Sequence, residues 1–334
     1  PMAARFGVSF DGFVTTSEAF ETAREFAAAG ASSLWMAEHL GYREAIATSM
    51  GFRIYCPELE VVPTAVSPYL WHPTPTAMAL ATLAEVGSAP VGVAIGVGNP
   101  LFLAESGEKI VKPIRAVREF TDCLEALWRG EATTYSGEMF NLAGARLGFK
   151  PPQPLITYIA ATGEQMLKLS GRMSNGVGLS AGLSPLSCRA SLDLVRQEAE
   201  AAGRDWGSVR RAAYLFLAVS EDGAAARDLV RAKLAFLFRN DKLAANIEAT
   251  GVAVDQAAII EAISRRDMQG AAALVSDEAV AAYAVAGTPA ECNARIDAFL
   301  DAGIDEPVLM VLGEREERRL ALSMLAARTG AVAA

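Results

Sequence analysis

Along most of the chain, short runs of apolar or β-branched residues alternate with longer stretches whose apolar positions recur at helical spacing. The runs fall at Phe6–Phe10, Ser33–Ala37, Glu60–Val66, Val91–Ile95, Ile156–Ala160, Gly176–Leu179, Ala212–Val219 and Pro307–Val311. They are continuous rather than alternating, the pattern of parallel strands covered on both faces. Between them, amphipathic stretches predict helices at Ser17–Ala29, Pro75–Glu85, Pro113–Trp128, Glu164–Met173, Pro185–Ala202, Pro289–Ala302 and Glu314–Ala327, with a weaker one at Tyr42–Gly51. Ser17-Glu18, Ser184-Pro185 and Thr288-Pro289 place a capping hydroxyl before an acid or a proline, and Gly30 and Gly303 stand just past helix ends. Eight such strand–helix repeats predict an α/β fold, a closed (β/α)8 TIM barrel, in preference to an open doubly wound sheet.

Two stretches break the repeat. Residues 133–154 read as a loop or short hairpin, punctuated by Gly137, Gly144, Gly148 and Pro151-Pro152. Residues 221–285 read as helical, with no barrel strand, and form an insertion after the seventh strand, where barrels often shape a substrate pocket. The expected organisation is one barrel domain over 1–334 carrying these two insertions.

Composition narrows the classes. Apolar residues make up 52% of the chain and charged residues 21%, enough for a large core. The net charge of −9, with basic residues scattered, argues against nucleic acid as a partner and for a small-molecule substrate. The four cysteines, Cys56, Cys123, Cys188 and Cys292, are widely spaced and form no Cys/His cluster. No metal site is expected, and a reduced, cytoplasmic setting fits. Pro1–Phe10 holds no long apolar run of a secretory signal, and no apolar run reaches membrane-spanning length.

In a barrel, chemistry gathers just after each strand. After strand 2 stand Glu38 and His39; the imidazole suits a hydrogen bond to a ring or a proton transfer, or is simply satisfied by its neighbours. After strand 3, Ser67 to Pro73 is either a bulky wall beside a planar ligand or a proline-stiffened loop. After strand 4, Gly96-Val97-Gly98-Asn99 lets backbone approach a ligand, although such turns are common. After strand 5, Ala161-Thr162-Gly163 runs into a helix at Glu164, either as a phosphate cradle or with Thr162 as an ordinary cap. Gly178 and Ser180 adjoin it. Asp11, beyond strand 1, is a carboxylate at the same rim.

Taken together, these positions resemble the luciferase-like superfamily, and within it the methylenetetrahydromethanopterin reductases. The resemblance runs through Phe6-Gly7-Val8, Trp35-Met36-Ala37-Glu38-His39, Ser67-Pro68-Tyr69, Gly96-Val97-Gly98-Asn99 with Val111-Lys112-Pro113, Met166-Leu167-Lys168, and Val285-Ala286-Gly287-Thr288-Pro289. It implies a barrel, usually a homodimer, that binds a flavin or the deazaflavin coenzyme F420 at the strand ends. By position, His39, Ser67, Gly96, Gly98 and Asn99 would line the ring, and Ala161, Thr162, Gly163 and Gly178 would surround the phosphate. It also implies a non-prolyl cis peptide near Thr64-Ala65.

Two departures bear on the activity. The pterin reductases carry a glutamate in strand 1 where this chain has Ser9, and an Asp-His pair where this chain has Glu38-His39, closer to the flavin-using monooxygenases. Serine is no acid or base near pH 7, which leaves Glu38, His39 and Asp11 as the candidate catalytic residues. The expected function is a coenzyme F420-dependent oxidoreductase moving a hydride to or from a small substrate, a methylene-tetrahydropterin or folate among the candidates. An FMN-dependent monooxygenase and a non-catalytic flavin-binding barrel are the alternatives.

Overall fold

The computed structural model describes residues 5–240 and 243–331. In chain order, β1 (Gly7–Phe10), α1 (Thr16–Ala28), β2 (Ser33–Ala37), α2 (Ala45–Tyr55), β3 (Glu60–Val66), α3 (Pro73–Ala84) and β4 (Gly92–Ile95) open the barrel. A short α4 (Pro100–Glu105), the long α5 (Pro113–Trp128) and a hairpin of β5 (Thr133–Ser136) and β6 (Asn141–Ala145) precede β7 (Ile156–Ala161), α6 (Glu164–Met173), β8 (Gly176–Leu179), α7 (Pro185–Ala201) and β9 (Arg210–Val219). The parallel order β1-β2-β3-β4-β7-β8-β9-β11 closes on itself through the β8–β9 and β1–β11 pairs, with β11 at Glu306–Val311. The eight strands expected from the apolar runs are these eight.

The strands are apolar throughout because each of their faces is covered. Leu34, Met36, Val61, Val93, Ile159, Val177 and Leu309 pack outward against the helices, while Trp35, Val62, Ala94, Tyr158, Ala212 and Val308 fill the lumen. In α5, Ala116, Val117, Phe120, Cys123, Leu124 and Leu127 form one buried stripe. In α3, Ala77, Leu80, Ala81 and Ala84 are buried within the chain, and Trp128 donates to the Ala77 carbonyl at 3.2 Å. Those small residues therefore serve packing within the chain.

Several local details differ from the sequence expectation. The helix after β2 starts at Ala45, not Tyr42, because Glu44 accepts from Ile46 N (2.7 Å) and Ala47 N (2.6 Å). Beyond β9, the chain forms α8 (Gly223–Phe238), α9 (Ala244–Thr250), α10 (Gln256–Ser264), α11 (Met268–Ala273) and α12 (Asp277–Tyr283). Helix then gives way at Val285 to a ninth parallel strand, β10 (Val285–Gly287), paired with the far end of β9 at Leu217–Val219. α13 (Pro289–Asp301) leads to β11, and α14 (Arg315–Thr329) follows it. The helices after β9 share a separate core of Val230, Leu234, Phe238, Ile259, Val280 and Tyr283 with Phe216 and Ala218 of β9, which seats them over the C-terminal strand ends.

The N-terminal end of the lumen is plugged by charge. Arg5 and Arg210 each donate to Glu60 Oε2 at 2.7 Å, and Arg210 also donates to the Tyr158 hydroxyl at 3.0 Å. Tyr158 donates to Glu60 Oε1 (3.2 Å), Trp35 Nε1 to Ser33 Oγ (2.9 Å), and Ser33 to Glu306. Burial and the repulsion of Glu60 push the Glu306 carboxyl above its ordinary range, against the pull of Arg5. Glycine supplies the room: a Cβ at Gly176 would stand 2.6 Å from the Tyr158 ring, and one at Gly7 2.9 Å from Trp35 Nε1.

Candidate active site

At the opposite end, a cavity of about 730 Å³ opens among the C-terminal ends of β2, β3, β4, β7 and β8. Glu38, His39, Gly96, Gly98, Asn99, Thr162, Gly163 and Gly178 all line it, together with Ser180 and with Trp35 and Tyr214 as its floor. Trp35 meets Tyr214 edge-on at 5.7 Å and Tyr158 at 5.0 Å between ring centroids, so the floor is an aromatic stack above the charged plug. Floor space depends on small residues, since a Cβ at Gly96 would lie 3.0 Å from both Ala65 Cβ and Ala160 Cβ. A non-prolyl cis peptide joins Thr64 to Ala65, where the resemblance places one.

At the β2 rim, the His39 Nδ1 atom lies 2.9 Å from the Asp11 carbonyl oxygen. A carbonyl only accepts, so Nδ1 carries the proton and Nε2 of the neutral ring presents a lone pair. The Asp11 carboxylate is turned to its own loop, accepting from Phe13 N at 3.0 Å, and Asp11 lines a different cavity. The Glu38 carboxylate accepts from Ala45 N at 2.8 Å, at the start of α2. Burial, helped by nearby Glu44, raises the Glu38 carboxyl above its usual range, although the Ala45 amide opposes the shift.

The β4 side is a wall of backbone. Ser67 donates to the Val97 carbonyl at 2.7 Å and so braces the Gly96–Asn99 turn from behind, without itself lining the cavity. Gly98 adopts φ +91, a left-handed conformation suited to glycine. Asn99 caps α4 through Oδ1, accepting from Leu101 N at 2.9 Å, which leaves its amide NH2 as donor. In the loop after β3, Tyr69 donates to the Val111 carbonyl at 2.7 Å, and Trp71 packs into the core. The Ser67–Pro73 segment thus behaves as a stiffened loop more than as a wall.

The β7 end forms the cradle. Gly163, not Thr162, is the N-cap of α6, and no side chain caps that helix. Its first amides thus face the cavity without an intrahelical partner. Ala161 points outward into the helical layer, and Ala160 is the alanine that lines the cavity. The described lining residues include no lysine or arginine. The acid in the first turn, Glu164, is bridged to Lys168 at 2.6 Å.

A planar tricyclic ring with a phosphate-bearing tail fits these features: an aromatic floor, a glycine wall, and a helix N-terminus whose amides lack partners. Trp35 and Tyr214, the floor residues, escaped the sequence reading because an inward aromatic in a strand buried on both faces looks like any other core position. The family model described as luciferase-like monooxygenase matches residues 5–306. The 5,10-methylenetetrahydromethanopterin reductase of Archaeoglobus fulgidus is 27% identical over 279 residues, 82% of this chain and 83% of that protein. The F420-dependent glucose-6-phosphate dehydrogenase of Kineococcus radiotolerans is 25% identical over 306 residues, covering 87% of this chain and 86% of its own. Among solved structures, the coenzyme F420-dependent tetrahydromethanopterin reductase of Methanopyrus kandleri superposes with a TM-score of 0.86 at 23% identity, covering 96% of this chain and 97% of its own.

Proposed function

The chain belongs to the luciferase-like monooxygenase family, and from that premise we propose that it is a coenzyme F420-dependent oxidoreductase that moves a hydride to or from a small organic substrate. The observation that carries the reading is the cradle at α6, built of backbone amides with no lysine or arginine among the described residues that line it, the nearby Lys168 being engaged by Glu164. Coenzyme F420 carries a phosphodiester with a single negative charge at phosphorus, which amide donors and a helix N-terminus can hold. The phosphomonoester of FMN carries about −1.5 to −2 at pH 7 and calls for a cation as well. The reductase and dehydrogenase relatives at 27% and 25% identity, both named for reactions of this kind, add support.

When bound, the deazaflavin supplies a carbon that gives or takes a hydride. The protein's own part is to orient and to exclude water. Trp35 and Tyr214 close the floor, the Gly96–Asn99 turn and the Asn99 amide flank the ring, and Thr162-Gly163 with Gly178 and Ser180 receive the tail. His39, fixed through Nδ1 by the Asp11 carbonyl, offers Nε2 as a proton acceptor at the ring edge. Glu38, held by the Ala45 amide and raised by burial, is the carboxyl best placed to pair with it.

We further read the chain as one barrel domain with insertions at 133–154 and 221–285, working as a homodimer in the cytoplasm. Exposed Ile54, Tyr55 and Met78, on the adjoining helices α2 and α3, are the dimer face we propose. Four free, buried cysteines suit a reducing compartment, and among the described residues no helix is long and apolar enough to cross a membrane.

The test is an anaerobic titration of the purified protein with coenzyme F420 and, separately, with FMN, followed by absorbance and fluorescence. Saturable binding of F420, at least tenfold tighter than FMN, is expected. Preference for FMN would replace this reading with the monooxygenase one.

A further inference from the structure

The imidazole at the β2 rim is held by a stretch of backbone, and that backbone is itself held by a side chain. The stretch is Asp11-Gly12-Phe13-Val14, which follows β1. Its Asp11 carbonyl receives the proton of His39 Nδ1 at 2.9 Å. The next two carbonyls, of Gly12 and Phe13, accept from Arg43 Nη1 at 3.3 and 3.2 Å. Three consecutive carbonyls thus meet two donors of the β2–α2 segment. Gly12 makes this approach possible: its φ is +78, and a Cβ there would stand 3.1 Å from the Arg43 carbonyl oxygen. Among the described residues, no other hydrogen bond joins 11–14 to the β2 side. The Asp11 carboxylate serves its own loop at Phe13 N. The Phe13 ring touches His39 with centroids 4.9 Å apart and meets Tyr42 edge-on at 4.6 Å. Phe13 is 45% exposed and Tyr42 56%, so that contact alone packs too loosely to fix a ring.

Arg43 has a firm base. Tyr42 N donates to the His39 carbonyl at 3.0 Å, and Glu44 caps α2 on the other side. Among the described residues Arg43 makes no ion pair, so its charge goes to the two carbonyls, and hydrogen bonds from a charged donor are the stronger kind. What the loop controls is a proton position. In water a neutral imidazole prefers its proton on Nε2, and the other tautomer persists only while Nδ1 has an acceptor. With the proton on Nδ1, Nε2 offers a lone pair to the cavity. With the proton on Nε2, the same ring offers an N–H there and accepts nothing.

Resting on the reading of His39 as a proton acceptor, we propose that Arg43 is its positioning residue: by holding the Gly12 and Phe13 carbonyls, it keeps the Asp11 carbonyl against Nδ1 and so sets which tautomer His39 presents to the cavity. Arg43 touches neither cofactor nor substrate in this role. Without it, the loop pivots at Gly12, Nδ1 loses its acceptor, and the ring reverts to Nε2–H. The chain carries its own control. His72, the only other histidine, accepts from Thr74 N through Nδ1 at 3.3 Å, so its neutral ring holds the proton on Nε2. The two histidines are therefore set in opposite tautomers.

The experiment is nitrogen-15 NMR of the two imidazole rings in the protein without ligand, at a pH above the imidazole titration, for wild type, Arg43→Met and Arg43→Lys. Wild type should show Nδ1–H for His39 and Nε2–H for His72. Arg43→Met keeps the length of the side chain and removes its donors. It should shift the His39 tautomer ratio toward Nε2–H about fivefold or more, the equivalent of one hydrogen bond, and leave His72 as it is. Arg43→Lys keeps a charged donor and should restore most of the Nδ1–H form. Unchanged His72 signals and a thermal melt near that of wild type show that each variant is folded, as expected for a side chain at the surface of the rim. Wild type with His39 already as Nε2–H, a folded Arg43→Met with the wild-type ratio, or Arg43→Lys no different from Arg43→Met would each overturn the proposal. The cofactor reading fails separately: wild type that does not bind F420 in a titration, with the tautomers as expected, would sink that reading and leave the role of Arg43 in place.

Discussion

The two ends of the barrel lumen hold similar polar groups and treat them in opposite ways. At the N-terminal end, the Glu60 carboxylate is shared by Arg5, Arg210 and Tyr158, and Glu306 is met by Ser33, with Trp35 donating into the same chain of bonds. At the C-terminal end, Ser9 Oγ and the Tyr214 hydroxyl lie side by side without completing a well-formed hydrogen bond, His39 is anchored through one nitrogen alone, and α6 begins without a side-chain cap. Leaving a buried polar group unpaired costs about 1–3 kcal/mol. The plug keeps one such atom, Arg5 Nε, but its charges are otherwise paired, whereas the C-terminal end leaves its donors turned to an open cavity able to take a ligand.

The largest effect should come from opening the closed end. Glu60→Leu would leave Arg5 and Arg210 facing each other without their shared carboxylate. Breaking a buried pair costs about 3–5 kcal/mol. Because both arginines are partly exposed, a loss near the lower figure is expected in urea denaturation. A variant as stable as wild type would mean that the plug contributes nothing.

At the open end, the effect should appear in rate rather than stability. His39→Ala should lower single-turnover hydride transfer about a hundredfold while weakening F420 by only about tenfold or less, the equivalent of one lost hydrogen bond. Normal turnover with weaker binding would reduce His39 to a cofactor contact.

The smallest effect returns to the plug. The Glu306 carboxyl is raised by burial and by Glu60, so between the ordinary carboxylate pKa and that raised value the folded protein holds a proton that the unfolded chain has released. Stability must therefore fall as pH rises through that window. Glu306→Gln removes the titration, and its stability should depend less on pH there. An unaltered pH dependence, measured by thermal melts from pH 4 upward, would show that Glu306 is not the titrating group.

The barrel was legible in the sequence because strands buried on both faces write themselves as unbroken apolar runs, and the runs at 33–37, 60–66 and 176–179 match β2, β3 and β8 residue for residue. β10 was not legible: three residues carry no period, and its partner is an extension of β9 more than sixty residues upstream. The glycine turn and the Glu38-His39 pair were visible as residue types at strand ends. Which face each strand residue takes was not, and a shift of one residue separates Ala160 on the cavity from Ala161 in the helical layer. The plug joins Arg5, Glu60, Arg210 and Glu306, contacts set by barrel closure that no local pattern announces.

The central claim is that the open end holds a deazaflavin tail through backbone amides at Gly163. A Cβ at Gly163 would touch nothing within 4 Å, and its φ of −100 suits any residue, so Gly163→Val can fold while crowding the cradle. The direct test is a two-by-two set of dissociation constants: wild type and Gly163→Val, each with coenzyme F420 and with the same deazaflavin riboside lacking the phosphodiester. The substitution should weaken F420 at least tenfold and the phosphate-free chromophore less than threefold, with melting temperatures unchanged. Equal weakening of both ligands, or of neither, would contradict it.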